Sequence, residues 1–80
     1  KNLKSSIYPS NVTNSLVTLD LKESFNFVRL VDIQGHEFLR KTLEGESGTV
    51  KLNLPLLSEG MYIVQLVGRQ SVQQKIYVTR

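Results

Sequence analysis

The sequence of 80 residues has no cysteine, no tryptophan, one histidine, one methionine and two prolines. Without cysteine there is no disulfide staple and no thiolate metal site, although the compartment stays open. A lone histidine, His36, beside the turn glycine Gly35, reads as a solvated polar residue, because metal sites need several donors at suitable spacing. Long apolar runs are missing too. The longest, Met61 to Val64, falls far short of the ~20 residues of a membrane helix. No basic, then apolar, then small-residue leader opens the chain.

The catalytic patterns are equally absent. Eight serines occur and none lies in G-x-S-x-G. Gly45 and Gly48 are followed by neither Lys-Ser/Thr nor a helical pattern, so no phosphate loop exists. The seven carboxylates are scattered, with no spacing that pairs two of them. Asn11-Val12-Thr13 fits a glycosylation acceptor, a pattern that arises often by chance. These absences argue against an enzyme, a metal site and a cofactor.

What is present suits one small globular domain. The hydrophobic fraction is 40% and the charged fraction 21%. A chain this short buries only ~60–65% of its unfolded surface, so its core must be economical. Net charge is +3 and the pI near 9.5. The basic residues are dispersed, with Arg40-Lys41 the one adjacent pair, where a nucleic-acid binder would show a cluster or stripe. The chain opens Lys1-Asn2, not on Met, and its last patterned segment runs almost to Arg80. Both features suggest a terminal module, residues 1–80, excised from something longer.

The apolar pattern has period two. Val17, Leu19 and Leu21 alternate with Leu16, Thr18 and Asp20. Val50, Leu52 and Leu54 alternate with Lys51 and Asn53, and Tyr62, Val64 and Leu66 with Ile63, Gln65 and Val67. In the last segment Val72, Ile76 and Val78 share one parity; Lys75, Tyr77 and Thr79 take the other. Such alternation turns one side of a strand to a core and the other to water. Turn signals separate the runs at intervals of about ten residues.

The pattern predicts strands near 5–8, 15–22, 25–34, 36–43, 48–54, 60–67 and 71–79. Seven strands suggest an all-β, antiparallel immunoglobulin-like sandwich of three and four strands. A small closed barrel is the alternative. Residues 39–44 could form one helical turn, but Gly35 and Gly45 box it in. Residues 68–70 close the last hairpin, with Gly68 able to take positive φ. Phe25 and Phe27 are expected on one face of their strand, and Tyr62 and Tyr77 with opposite burial.

Three segments, in order, resemble the type A C-terminal sorting domain of type IX secretion cargo. The first is Ile7-Tyr8-Pro9-Ser10-Asn11-Val12. Tyr8 and Pro9 match the family's Y-P-N-P opening, while Ser10 and Asn11 depart from it. Pro9 would give a rigid entry turn. The second is Val28 to Glu37, where Asp32 and Gly35 match a D/N-x-x-G turn between strands and His36 replaces a usual Lys or Arg. The third is Leu57-Ser58-Glu59-Gly60-Met61-Tyr62-Ile63-Val64-Gln65-Leu66, which fits L-x-x-G-x-Y-x-V-x-hydrophobic. It is followed by Gln74-Lys75-Ile76-Tyr77-Val78-Thr79-Arg80, which fits K-hydrophobic-x-V-x-K/R.

The resemblance implies a sorting signal that acts after periplasmic transit. Its partners would be an N-terminal cargo domain, the type IX outer-membrane translocon and a sortase-like attachment protease, with cargo ending at the cell surface or outside. No nucleic acid, membrane insertion or cofactor is implied. Lys75, Tyr77, Val78 and Arg80 are the candidate recognition residues, an aromatic flanked by cations on an end strand. If that strand lies at a sheet edge, it could pair with a receptor strand or a second copy. Tyr8, Pro9, Asp32, Gly35, Gly60 and Tyr62 are read as structural. Two other classes fit the composition: an adhesive or carbohydrate-binding immunoglobulin-like module, and a basic barrel for single-stranded nucleic acid.

Overall fold

The structure, a computed structural model, describes residues 4–79. Every described element is a β-strand: β1 (Ser6–Tyr8), β2 (Asn11–Val12), β3 (Leu16–Leu21), β4 (Phe25–Asp32), β5 (Glu37–Thr42), β6 (Gly48–Asn53), β7 (Gly60–Gly68) and β8 (Ser71–Val78). They form two sheets, one ordered β1-β3-β6 and the other β2-β8-β7-β4-β5. The arrangement is that of a β-sandwich and not of one closed barrel.

The alternating residues make the core. Val17, Leu19 and Leu21 of β3, with Val50 and Leu52 of β6, face Val28, Leu30, Tyr62, Val64, Leu66, Ile76 and Val78 of the other sheet, all buried. Each such aliphatic side chain contributes roughly 1.5–3 kcal/mol by leaving water. Period two is what places them on one side, so the apolar alternation and the layer structure are one fact.

Four expectations are corrected. There are eight strands, not seven, because Asn11–Val12 pairs with the end of β8. That pairing is parallel, so the second sheet is not wholly antiparallel. Val12 is fully buried, which gives the two-residue strand an anchor. Phe25 and Phe27 do not share a face. A bulge between them shifts the register against β7, burying Phe25 and turning Phe27 to the outer surface. Gly68 does not take positive φ. Its need is for space: a Cβ there would lie 3.1 Å from the Ser24 carbonyl oxygen and 3.2 Å from Phe25 Cα. Residues 39–42 belong to β5, so the helical alternative is not taken.

The two sheets differ in width. Strands sit ~4.8 Å apart, so the five-stranded sheet overhangs the three-stranded one. The chain crosses between sheets five times on short connections, at residues 9–10, 13–15, 22–24, 43–47 and 54–59. Pro9 and Ser10 carry β1 to β2 on one flank, and residues 43–47 carry β5 to β6 on the other. The Tyr8–Pro9 peptide bond is cis. β5 is left exposed along almost its whole length, with Leu39 alone half-buried.

Candidate functional site

The β7–β8 hairpin carries the residues singled out for recognition. Its ladder pairs Met61 with Tyr77, Ile63 with Lys75, Gln65 with Gln73 and Val67 with Ser71. Residues of this parity point away from the core, since their neighbours Tyr62, Val64, Leu66, Ile76 and Val78 are buried. Lys75 is exposed and Tyr77 is 48% exposed on the same face. Val78 is buried, so its side chain belongs to the core and not to that surface. Arg80 lies outside the described residues.

The edge expectation for the last strand needs correction. β8 is paired on both sides at its end. The Tyr77 N–H donates to the Ser10 carbonyl (2.7 Å) and the Thr79 N–H to that of Val12 (3.0 Å). Further back along that same edge, the Gln74 side-chain amide donates to the Lys75 carbonyl at 2.8 Å, occupying an acceptor that β2 does not reach.

The outer face continues across β4 and β5 as a polar chain that parity alone does not reveal. Arg29 Nε donates to Gln65 Oε1, and Gln65 Nε2 donates to Gln73 Oε1 at 3.0 Å. Glu37 bridges Arg29 and Arg40, accepting from Arg40 Nη2 at 2.8 Å and Nε at 3.0 Å, with Arg29 Nη1 at 3.6 Å. The Arg40 hydrogen bonds hold the Glu37 carboxyl below its ordinary range, and Glu37 raises Arg40 in return. Arg40 also lies 4.3 Å over the Phe27 ring, a cation–π contact. These cross-strand pairs depend on register, which the sequence does not print.

The remaining motif residues shape turns. The Asp32 N–H donates to the His36 carbonyl and the Gly35 N–H to the Asp32 carbonyl, both at 3.0 Å. Asp32 Oδ1 accepts from the N–H groups of Gln34 and His36 at 2.9 Å each, and Oδ2 lies 3.0 Å from His36 Nδ1. Desolvation pushes this carboxyl up, but the hydrogen bonds from His36 and Gln34 outweigh it and the group lies below its ordinary value. Gly35 completes the turn at φ +90°. Gly60 opens β7 at φ +152°, with nothing within 4 Å of where a Cβ would stand, so its role is conformational. Tyr62 is buried at the end of the core and its hydroxyl donates to the Ser58 carbonyl at 2.7 Å. Tyr8 is 47% exposed at the end of β1, and Pro9 follows it on the surface.

Chemistry finds little purchase here. Among the described residues no group of three or more His, Cys, Asp or Glu side chains could hold a metal ion. One groove of about 220 Å³ lies at the end of the sandwich, lined by Thr13, Ser15, Leu54 to Leu57, Val78 and Thr79. No titratable side chain lines it.

Comparison with known proteins agrees with the fold. In the solved structures, a similar chain is PorZ of Porphyromonas gingivalis, described as an essential bacterial surface component of the type IX secretion system. The match has a TM-score of 0.68 at 19% identity, and covers 95% of this chain but 11% of PorZ. It establishes a shared fold. No curated protein sequence matches the chain. The family model for the secretion system C-terminal sorting domain matches residues 6–79. From just before the Tyr8-Pro9 entry to the end of the last strand, the chain therefore belongs to the family of secretion system C-terminal sorting domains.

Proposed function

We propose that this domain directs an N-terminal cargo through the type IX outer-membrane translocon by presenting the outer face of its β7–β8 hairpin. The carrying observation is the exposure of Tyr77 and Met61 opposite each other, with Lys75 one step along the same face. An apolar pair with an adjacent cation is surface the fold does not need for its own core. Aromatic side chains of this kind anchor interfaces, and charge around them guides encounter.

In this reading the domain is a signal and not a catalyst. It crosses the periplasm attached to its cargo, is recognised as a folded unit, and is removed by a sortase-like protease as the cargo reaches the cell surface or the medium. Arg80 adds a second cation close to Tyr77 in sequence. The immunoglobulin-like description then applies to the sandwich as a scaffold, and edge-to-edge dimers are not needed for sorting.

The test is a fusion of residues 1–80 to the C-terminus of a periplasmic fluorescent reporter, in a strain with type IX secretion. Reporter at the surface or in the medium, lost when the translocon is disabled, is expected. Folded reporter held in the periplasm would overturn the reading and favour an adhesive module.

A further inference from the structure

We infer that the free edge of β6, together with the uncovered inner face of β5, forms a step that accepts an extended peptide strand bearing an acidic and an apolar side chain two residues apart. The inference stands on sheet geometry and does not rest on the sorting role.

β6 is the outermost strand of the narrower sheet, and its register with β3 runs unbroken from Gly48 to Asn53. The Leu54 N–H donates to the Ser15 carbonyl at 2.8 Å. Backbone direction alternates along a strand, so Gly48, Val50 and Leu52 address β3 while Thr49, Lys51 and Asn53 turn their N–H and C=O groups outward. Among the described residues no strand pairs with that outward edge. An unpaired edge of this kind is a template for an added strand.

The other edges are guarded. β1 is three residues long, and β8 is covered by β2 and by the Gln74 amide. β5 carries Glu37, Arg40 and Lys41 and is bulged against β4. β6 has neither a bulge nor an inward charge, since its inward residues are Val50 and Leu52.

The floor of the step defines the ligand. Lys41 pairs with Val28 and Leu39 with Leu30, and both partners are fully buried, so Lys41 and Leu39 lie on the core-facing side of β5. Lys41 is nevertheless exposed and Leu39 half-buried, because the narrower sheet ends before reaching them. Phe38, the extra residue of the bulge, packs edge-on against Tyr62 at 5.6 Å and stays 44% exposed. A strand hydrogen-bonded to β6 would roof these three side chains. Leu39 and Lys41 are two residues apart on one face, and an extended ligand repeats its face at the same interval. An apolar side chain over Phe38 and Leu39 and a carboxylate over Lys41 satisfy both.

A second copy does not fit. An antiparallel β6–β6 pair has its two-fold normal to the sheet, which lays each copy's overhanging β5 where the other's β4 must stand. A lone extended segment meets no such obstacle.

The experiment is to select displayed random peptides of about eight residues, a typical strand length, against the 80-residue chain. Enriched peptides should place Asp or Glu two residues from an aliphatic or aromatic residue, and should shift the amide resonances of Thr49, Lys51 and Asn53. Lys51→Pro removes one outward N–H without touching the β3 ladder, as proline is tolerated at such edges. It should weaken binding about tenfold. Lys41→Glu, on an exposed strand, should weaken it comparably with no loss of fold, while Lys75→Ala should leave it unchanged. No enrichment, binding indifferent to both variants, or dimerisation through β6 would each overturn the inference.

Discussion

Met61 stands opposite Tyr77 in the β7–β8 ladder, and the two side chains, 41% and 48% exposed, look out from the five-stranded sheet. Neither contributes to the core. Replacing both by serine should therefore cost under about 1 kcal/mol of stability, as surface changes away from packing do. Surface delivery of a fused reporter should fall sharply. Thermal melts and surface fluorescence on the same variant separate the two effects. A variant with wild-type stability and wild-type delivery would remove this pair from recognition. Lys75→Ala combined with Arg80→Ala asks the same of the charges, and Lys75 is exposed.

Parity carried most of what the sequence could say about this face. Lys75 and Tyr77 point outward and Ile76 and Val78 inward, as alternation requires. The same rule places Val78 in the core, which is why a motif position need not be a contact position. Parity failed where a strand bulges. Phe25 and Phe27 are two residues apart, yet the extra residue Asn26 puts them on different faces. It was also silent on pairing. Asn11 and Val12 have no strand-like pattern of their own, and they join the sheet because β8 offers Tyr77 and Thr79 N–H groups to the carbonyls beside them. The Arg29–Gln65–Gln73 chain spans three strands whose relative register depends on that same tertiary assembly.

Two glycines should respond differently to substitution. Gly60→Val meets no neighbour, but it forces a β-branched residue to φ +152°, a strain of roughly 1–3 kcal/mol. Gly68→Ala has an ordinary backbone and instead presses a methyl group on Ser24 and Phe25, an overpacking of about 1–3 kcal/mol. Denaturant titration should show both destabilised. Protease resistance of purified Gly60→Val should fall before any specific export defect is seen. An intact, resistant Gly60→Val domain that still fails in export would reverse that order and make Gly60 a recognition residue.

Tyr62 offers a smaller and cleaner change. Its ring fills the end of the core and packs against Phe38, while its hydroxyl donates to the Ser58 carbonyl. Tyr62→Phe keeps the ring and deletes one hydrogen bond, so a loss of about 1 kcal/mol is expected. Tyr62→Ala also deletes the ring and should cost about 3–5 kcal/mol, enough to unfold much of a domain this small. Equal effects from the two variants would mean that the hydroxyl, and not the ring, is what the core needs from this position.

The fold should weaken in acid for a reason located at two carboxylates. Asp32 and Glu37 both have carboxyls held below their ordinary values, Asp32 by N–H donors of its turn against desolvation, and Glu37 foremost by Arg40. A depressed folded-state pKa means that the ionised form favours the native state. That contribution is present above the unfolded pKa and disappears as pH falls through the lower folded value. It is therefore intact at neutral pH and lost below about pH 4. Melting temperature should fall over that range more steeply for the native sequence than for Asp32→Asn or Glu37→Gln, each of which has one fewer carboxylate to protonate. Asn at position 32 still has an oxygen to accept the Gln34 and His36 N–H groups, so the turn survives the substitution at neutral pH. Parallel acid slopes in all three proteins would place the acid sensitivity in other carboxylates.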